Sequence, residues 1–183
     1  MELTGKTIGL FVGPGFEDLE FWVPRMRLEE EGATVMVIGT DRGESYASKH
    51  GCLYAHAEYA AADVDAAVLD GLVIPGGWCP DKIRRDGDVV RITKEVFEAG
   101  KPVAMICHAG LVGISADIVA GSRATGSLGI KDDLVNAGAT WVDEPAFTEG
   151  NLVWGRVVED IPAFCREMVA AMRRGPTKRP QQR

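Results

Sequence analysis

The chain has 183 residues, 46% of them hydrophobic and 26% charged, with a formal net charge of -7. These values fit one soluble globular domain with room for a substantial core. The acidic balance argues against a nucleic-acid partner, no run approaches the ~18 apolar residues of a membrane span, and the polar start from Met1 to Thr7 carries no secretory signal.

In chain order, Lys6 to Val12 is a near-continuous apolar run and reads as a first buried strand, broken by Gly13-Pro14-Gly15. A helix is expected from Glu17 to Glu31, with Pro24 kinking it or shifting its start and Gly32 closing it. Thr34 to Ile38 is a second buried strand, so the first pair is parallel with a helical crossover. Ser45 to Ala47 and Leu53 to Ala57 read as short extended pieces around Lys49-His50-Gly51. The alanine-rich Ala60 to Ala67 reads as a short helix. Gly71 to Ile74 is a third buried strand, ending in Pro75-Gly76-Gly77. Pro80 to Ala99 reads as helix interrupted near Gly87. Val103 to Ile106 is the fourth strand, Ile130 to Asn136 a helix closed by Gly138, and Thr140 to Val142 a strand. Phe147 to Trp154 is a strand pair turning at Gly150-Asn151, and Ile161 to Arg173 an amphipathic helix. Residues 175–183 are polar and are expected to form a disordered tail behind a single domain over residues 1–174.

The chemistry centres on Gly100-Lys-Pro-Val-Ala-Met-Ile-Cys-His-Ala-Gly110. A buried strand there stops on Cys107 and His108, and small residues lead into a helix. That is the geometry of a nucleophile elbow, with a helix N-terminus favouring a thiolate. A buried structural cysteine is the competing reading. If the strands before Gly13-Pro14-Gly15, Pro75-Gly76-Gly77 and Cys107 are neighbours, their loops converge at the carboxyl ends of the sheet. Glu17, Asp18 and Glu20 then lie near Cys107, and the backbone N–H groups of Gly76, Gly77 and His108 come within range of an oxyanion. Acids in a first helical turn also simply complement the dipole, the preferred reading for Glu17, and Gly76-Gly77 also fits a plain turn.

The four cysteines, Cys52, Cys79, Cys107 and Cys165, are scattered without C-x-x-C, so no metal site is expected and reduced thiols in the cytoplasm are. Gly13-Pro14-Gly15 is too short and Pro-blocked for a dinucleotide fingerprint, so no cofactor is expected.

An ordered set of segments then carries a family resemblance. Gly15-Phe-Glu-Asp-Leu-Glu20, Leu28-Glu-Glu-Glu-Gly32, Lys49-His-Gly51, Leu72-Val-Ile-Pro-Gly-Gly77, Gly100 to His108, Gly129-Ile-Lys-Asp-Asp-Leu-Val-Asn-Ala-Gly138 and Asp160-Ile-Pro-Ala-Phe164 resemble the ThiJ/PfpI superfamily, and within it the intracellular protease PfpI branch. The resemblance implies a flavodoxin-like three-layer α/β/α sandwich with a mainly parallel sheet. It gives Cys107 the role of nucleophile and Glu20 that of a protonated carboxyl contacting its sulfur, with Glu17 as the motif's other acid. His108 matches the protease branch's histidine. Its ring is expected to point away from the thiol, because neighbouring side chains diverge, and to pair with an acid of another subunit at the position of Asp81. A homo-oligomer, dimer or hexamer, follows from that pairing.

The resemblance also implies the activity. The leading reading is a cofactor-independent glyoxalase or protein deglycase acting on small carbonyls through Cys107 and Glu20. The alternatives are a peptidase using Cys107, His108 and Asp81, and an oxidative-stress sensor whose Cys107 sulfinate is held by protonated Glu20. The chain departs from the family at Ala109-Gly110, where Gly-Pro is frequent, and at Ser127, where an aromatic residue is frequent. Cys79 reads as an ordinary loop thiol in preference to a resolving partner for Cys107.

Overall fold

The computed structural model describes residues 1–177; the end of the expected tail, 178–183, lies outside the described residues. The chain runs through β1 (Thr7–Phe11), α1 (Asp18–Glu30), β2 (Thr34–Gly39), β3 (Ser45–Ala47), β4 (Tyr54–His56), β5 (Tyr59–Ala60), β6 (Gly71–Ile74), α2 (Cys79–Ile83), α3 (Gly87–Glu98) and β7 (Val103–Ile106). It continues through α4 (Gly110–Ser115), β8 (Arg123–Ala124), α5 (Lys131–Asn136), β9 (Thr140–Trp141), β10 (Ala146–Glu149), β11 (Leu152–Gly155) and α6 (Ile161–Arg174). A seven-stranded sheet in the order β10-β11-β7-β6-β1-β2-β5 forms the centre. All its neighbours pair in parallel except β10 with β11.

The buried strands are apolar because both faces of the sheet are covered. Every residue of β6, β7 and β11 is buried, as expected of parallel strands with helices on each side. α1 and α6 pack together on one face, and α2, α3 and α4 lie on the other. α6 earns its place by spacing: Ile161, Phe164, Cys165, Met168, Val169 and Met172 are buried at three- and four-residue intervals. This is the flavodoxin-like sandwich that the motif resemblance implies. No helix among the described residues is long and apolar enough to cross a membrane.

Two expectations change. The segment 60–67 is not one helix but two 3-10 turns, Ala61–Asp63 and Ala66–Val68. Val64 and Asp65 between them are extended, and the Asp65 carboxylate caps the second turn through Ala67 N–H. An Asp that bonds its own following backbone competes with a continuous helix. α1 neither breaks nor starts late at Pro24, which is buried inside it.

The order β7-β6-β1-β2 matters most for function. The connection from β1 leads to one side of the sheet and that from β6 to the other, so the two strands flank a topological switch point. Ligands of open α/β sheets bind outside the carboxyl ends of the strands at such a point.

Candidate active site

The loops after β1, β6 and β7 do converge, and backbone bonds tie them together. Trp78 N–H donates to Gly15 O at 2.8 Å, and Glu17 N–H to Gly76 O at 3.2 Å. Gly77 occupies φ 77°, where a Cβ would lie 2.5 Å from Gly15 O, so only glycine lets these loops cross.

Cys107 ends β7 in a left-handed conformation, φ 61°. A non-glycine residue there costs on the order of 1–3 kcal/mol, and such strain concentrates at functional sites. Ser127 N–H holds the elbow by donating to Cys107 O at 3.1 Å. Gly126 leaves that carbonyl room, since a Cβ there would stand 2.6 Å from it. A 3-10 turn over Cys107–Ala109 then leads into α4.

Glu20 comes from the first turn of α1 and is fully buried. Its Oε2 accepts from Gly76 N–H at 2.8 Å, while Oε1 is buried with no hydrogen-bond partner among the described residues. Burial, and then the negative charge of Glu17, push its carboxyl up to about 7. The Cys107 thiol is close enough for each group to perturb the other. Burial, and then the Glu20 charge, push the thiol up to about 12, against the pull of the N–H groups of Gly77 and His108. The helix-terminus argument for a ready thiolate is therefore outweighed here: a buried thiol beside a carboxylate keeps its proton.

His108 departs from expectation. Its Nδ1 lies 3.2 Å from Cys107 Sγ, although adjacent side chains usually diverge. The left-handed turn at Cys107 reverses the chain and brings the two side chains to the same side. Burial, and then the charge of Lys49, hold the imidazole below its usual range, so it is neutral near pH 7.

The other candidates separate. Glu17 is the N-cap of α1, its Oε2 accepting from Leu19 and Glu20 N–H at 2.9 Å each. It acts on Glu20 through charge and position and does not reach the sulfur by hydrogen bond. Asp18 is turned the other way: it accepts from Ser48 Oγ at 2.6 Å and pairs with His50 Nδ1 at 2.8 Å. The Gly76 N–H is occupied by Glu20, so it is not an oxyanion donor; Gly77 and His108 retain N–H groups directed at the sulfur. Asp81 lines a pocket of about 360 Å3 with Gly77, Trp78, Lys82, His108 and Leu111, but within this chain its carboxylate pairs with Arg85 at 2.6 Å. Cys79 is fully buried beneath Gly13, and burial alone raises its thiol well above the ordinary range, so it is a structural thiol.

Sequence reasoning picked out Lys49-His50-Gly51 as a motif but missed the contact of Lys49 with Trp78 and the clamp on its loop. Lys49 Nζ stands 5.5 Å over the Trp78 ring. It lies on the turn between β3 and β4, held by contacts to Asp18, and no local motif announces a contact formed across the sheet edge.

Comparison with known proteins gives the family and the fold. The model of the DJ-1/PfpI family matches residues 6–171. A deglycase of Thermococcus kodakarensis is 42% identical over 159 residues, covering 87% of this chain and 95% of that protein. YraA of Bacillus subtilis, provisionally named a cysteine protease, is 38% identical over 162 residues, covering 88% of this chain and 95% of that protein. Drosophila melanogaster DJ-1beta shares the fold with a TM-score of 0.85 at 24% identity, over 91% of this chain and 90% of that one. The motifs that build the elbow thus lie within a family match spanning nearly the whole fold, and the chain belongs to the DJ-1/PfpI family.

Proposed function

We propose that this protein is a cysteine enzyme that converts reactive dicarbonyls, free or as adducts on amines, to 2-hydroxy acids. The observation that carries the reading is the pairing of the strained Cys107 thiol with a buried Glu20 whose carboxyl titrates at about 7. A carboxyl poised there accepts and returns protons with little bias near neutral pH. Relatives named deglycases support the same chemistry.

For methylglyoxal, Cys107 Sγ adds to the aldehyde carbon, and its proton passes through Glu20 to the carbonyl oxygen, giving a hemithioacetal. Glu20 removes the remaining proton on that carbon and returns it to the neighbouring carbon, while the hydroxyl proton of the hemithioacetal passes to the neighbouring oxygen. This leaves an S-lactoyl thioester. Water hydrolyses the thioester to lactate and regenerates the thiol. The sum is one dicarbonyl plus one water, with no outside oxidant. Release of an amine from a glycated side chain ends in the same thioester hydrolysis, so lyase-type and hydrolase-type activities share one intermediate. Mass spectrometry of protein quenched during turnover tests this. A lactoyl adduct on Cys107 is expected; lactate production with Cys107 never modified would refute it.

A second reading, cysteine peptidase, is favoured by one contact, His108 Nδ1 at 3.2 Å from Cys107 Sγ. A neutral imidazole there can take the thiol proton and deliver it to a leaving amine. Orientation of that ring by Asp81 of another copy would complete the site. Peptide cleavage that depends on Asp81 and appears only in an oligomer would support this reading; cleavage by a monomer would exclude Asp81 of a second copy.

A further inference from the structure

Outside the Cys107–Glu20 pair, the site carries a cation that the chemistry above does not use. Lys49 projects from the turn between β3 and β4, with its ammonium 5.5 Å over the ring of Trp78. Trp78 is 60% exposed and lines the pocket together with His108 and Lys82. The charge of Lys49 is felt by both Glu20 and His108. Neither Lys49 nor Lys82 has a carboxylate within ion-pair distance among the described residues, whereas Asp81 at the same rim is already paired with Arg85. Lys82 is in the pocket lining itself, and Lys49 reaches the pocket wall through Trp78.

The position of Lys49 is built, not incidental. Its N–H donates to Phe16 O at 2.7 Å. On one side Ser48 Oγ donates to Asp18 Oδ1 at 2.6 Å, and on the other His50 Nδ1 meets Asp18 Oδ2 at 2.8 Å. Asp18 is buried and belongs to the same helical turn as Glu20. One turn of α1 thus positions the Glu20 carboxyl beside the sulfur and anchors the loop that carries Lys49. Beneath the ammonium, the Trp78 ring lies on Gly15, where a Cβ would come within 2.7 Å of Trp78 Cδ1. The stack is fixed at both ends.

We propose that Lys49, seated on Trp78, makes the site selective for carbonyl substrates that carry an anionic group, a carboxylate or a phosphate, a few bonds from the reacting carbon. This deepens the carbonyl reading above and rests on it for the identity of the reacting group. A cation at a pocket mouth raises the local concentration of anions and slows their escape, and the walls of a pocket focus that field. The carbonyl end reaches Cys107 while the anionic end stays at the rim with Lys49, and Lys82 adds to the same field.

Two measurements test this, and one needs no turnover. The first is alkylation of Cys107 by iodoacetate and by iodoacetamide, probes of similar size that differ in charge. The ratio of their rates cancels changes in thiol ionisation. It is expected to fall about 5-fold or more in Lys49→Gln, further in Lys49→Glu, and to stay near the wild-type value in Lys49→Arg, with the effect shrinking as salt is raised. The second compares kcat/KM for 4,5-dioxopentanoate and its methyl ester, which replaces the charge with one methyl group. Wild type is expected to prefer the acid by about 10-fold, and Lys49→Gln to lose that preference. An alkylation ratio unchanged in Lys49→Gln overturns the proposal. If wild type turns over neither dicarbonyl, the carbonyl reading fails, and the alkylation ratio still decides the role of Lys49.

Discussion

Gly76 both holds and crowds Glu20. Its N–H donates to Glu20 Oε2 at 2.8 Å, and a Cβ on the same residue would lie 2.5 Å from that oxygen, 2.7 Å from Cys107 Cβ and 2.9 Å from His108 N. The donor is therefore available to Glu20 only from a residue without a side chain. Gly76→Ala is expected to displace the carboxyl and the elbow together and to lower dicarbonyl turnover by about 100-fold or more, since misplacement on the order of 1 Å costs that much. A Gly76→Ala enzyme with wild-type kcat/KM would show that Glu20 need not sit where it is seen.

The raised carboxyl of Glu20 also has a stability signature. Folding moves its pKa from 4.5 up to about 7. Between those values the folded state holds a proton that the unfolded state has lost. Stability therefore falls as pH rises through that window, and above pH 7 the full penalty, on the order of 3 kcal/mol, persists. Glu20→Gln removes the ionisation while its amide oxygen can still accept from Gly76. The variant is expected to melt several degrees above wild type at pH 8, with the gap closing toward pH 5. A gap that widens on acidification would contradict the assignment.

Ionised Glu20 is also one reason the Cys107 thiol is pushed up to about 12. Glu20→Gln should therefore lower the thiol's pKa and speed its alkylation by iodoacetamide at pH 8, even as turnover is lost. Alkylation rates measured across pH separate the two effects: a thiol made less reactive by the substitution would mean that Glu20 helps to form the thiolate.

Turnover itself should respond to pH through the same group. With Glu20 required as a base, kcat/KM is expected to rise through about pH 7 and then level. Lys49 favours the ionised carboxylate, so in Lys49→Gln the rising limb should move to higher pH. An unchanged limb would assign it to another group.

Much of this site was legible in the sequence, because it depends on local signals. Apolar runs located β1, β6 and β7, the glycine-rich breaks located the loops, and the elbow pattern singled out Cys107. The expected convergence of those loops put Glu20 near Cys107 with Glu17 and Asp18, and the motif resemblance singled it out; the order of strands is what brings it to a residue 87 positions later. What could not be read was set by dihedral angles and by long-range contacts. The φ of 61° at Cys107 turns His108 back toward the sulfur, against the rule for adjacent side chains. The choice of Gly76 N–H as the donor to Glu20, rather than to an oxyanion, depends on the depth at which α1 docks. Asp18 looked like a third acid for the site and is an anchor for Ser48 and His50 instead.

The most direct test of the Cys107–Glu20 account is lactate formation from methylglyoxal by wild type, Cys107→Ala and Glu20→Gln under the same conditions. The account predicts stoichiometric lactate from wild type and a loss of about 100-fold or more in each variant. Lactate formed by Glu20→Gln at the wild-type rate would contradict it.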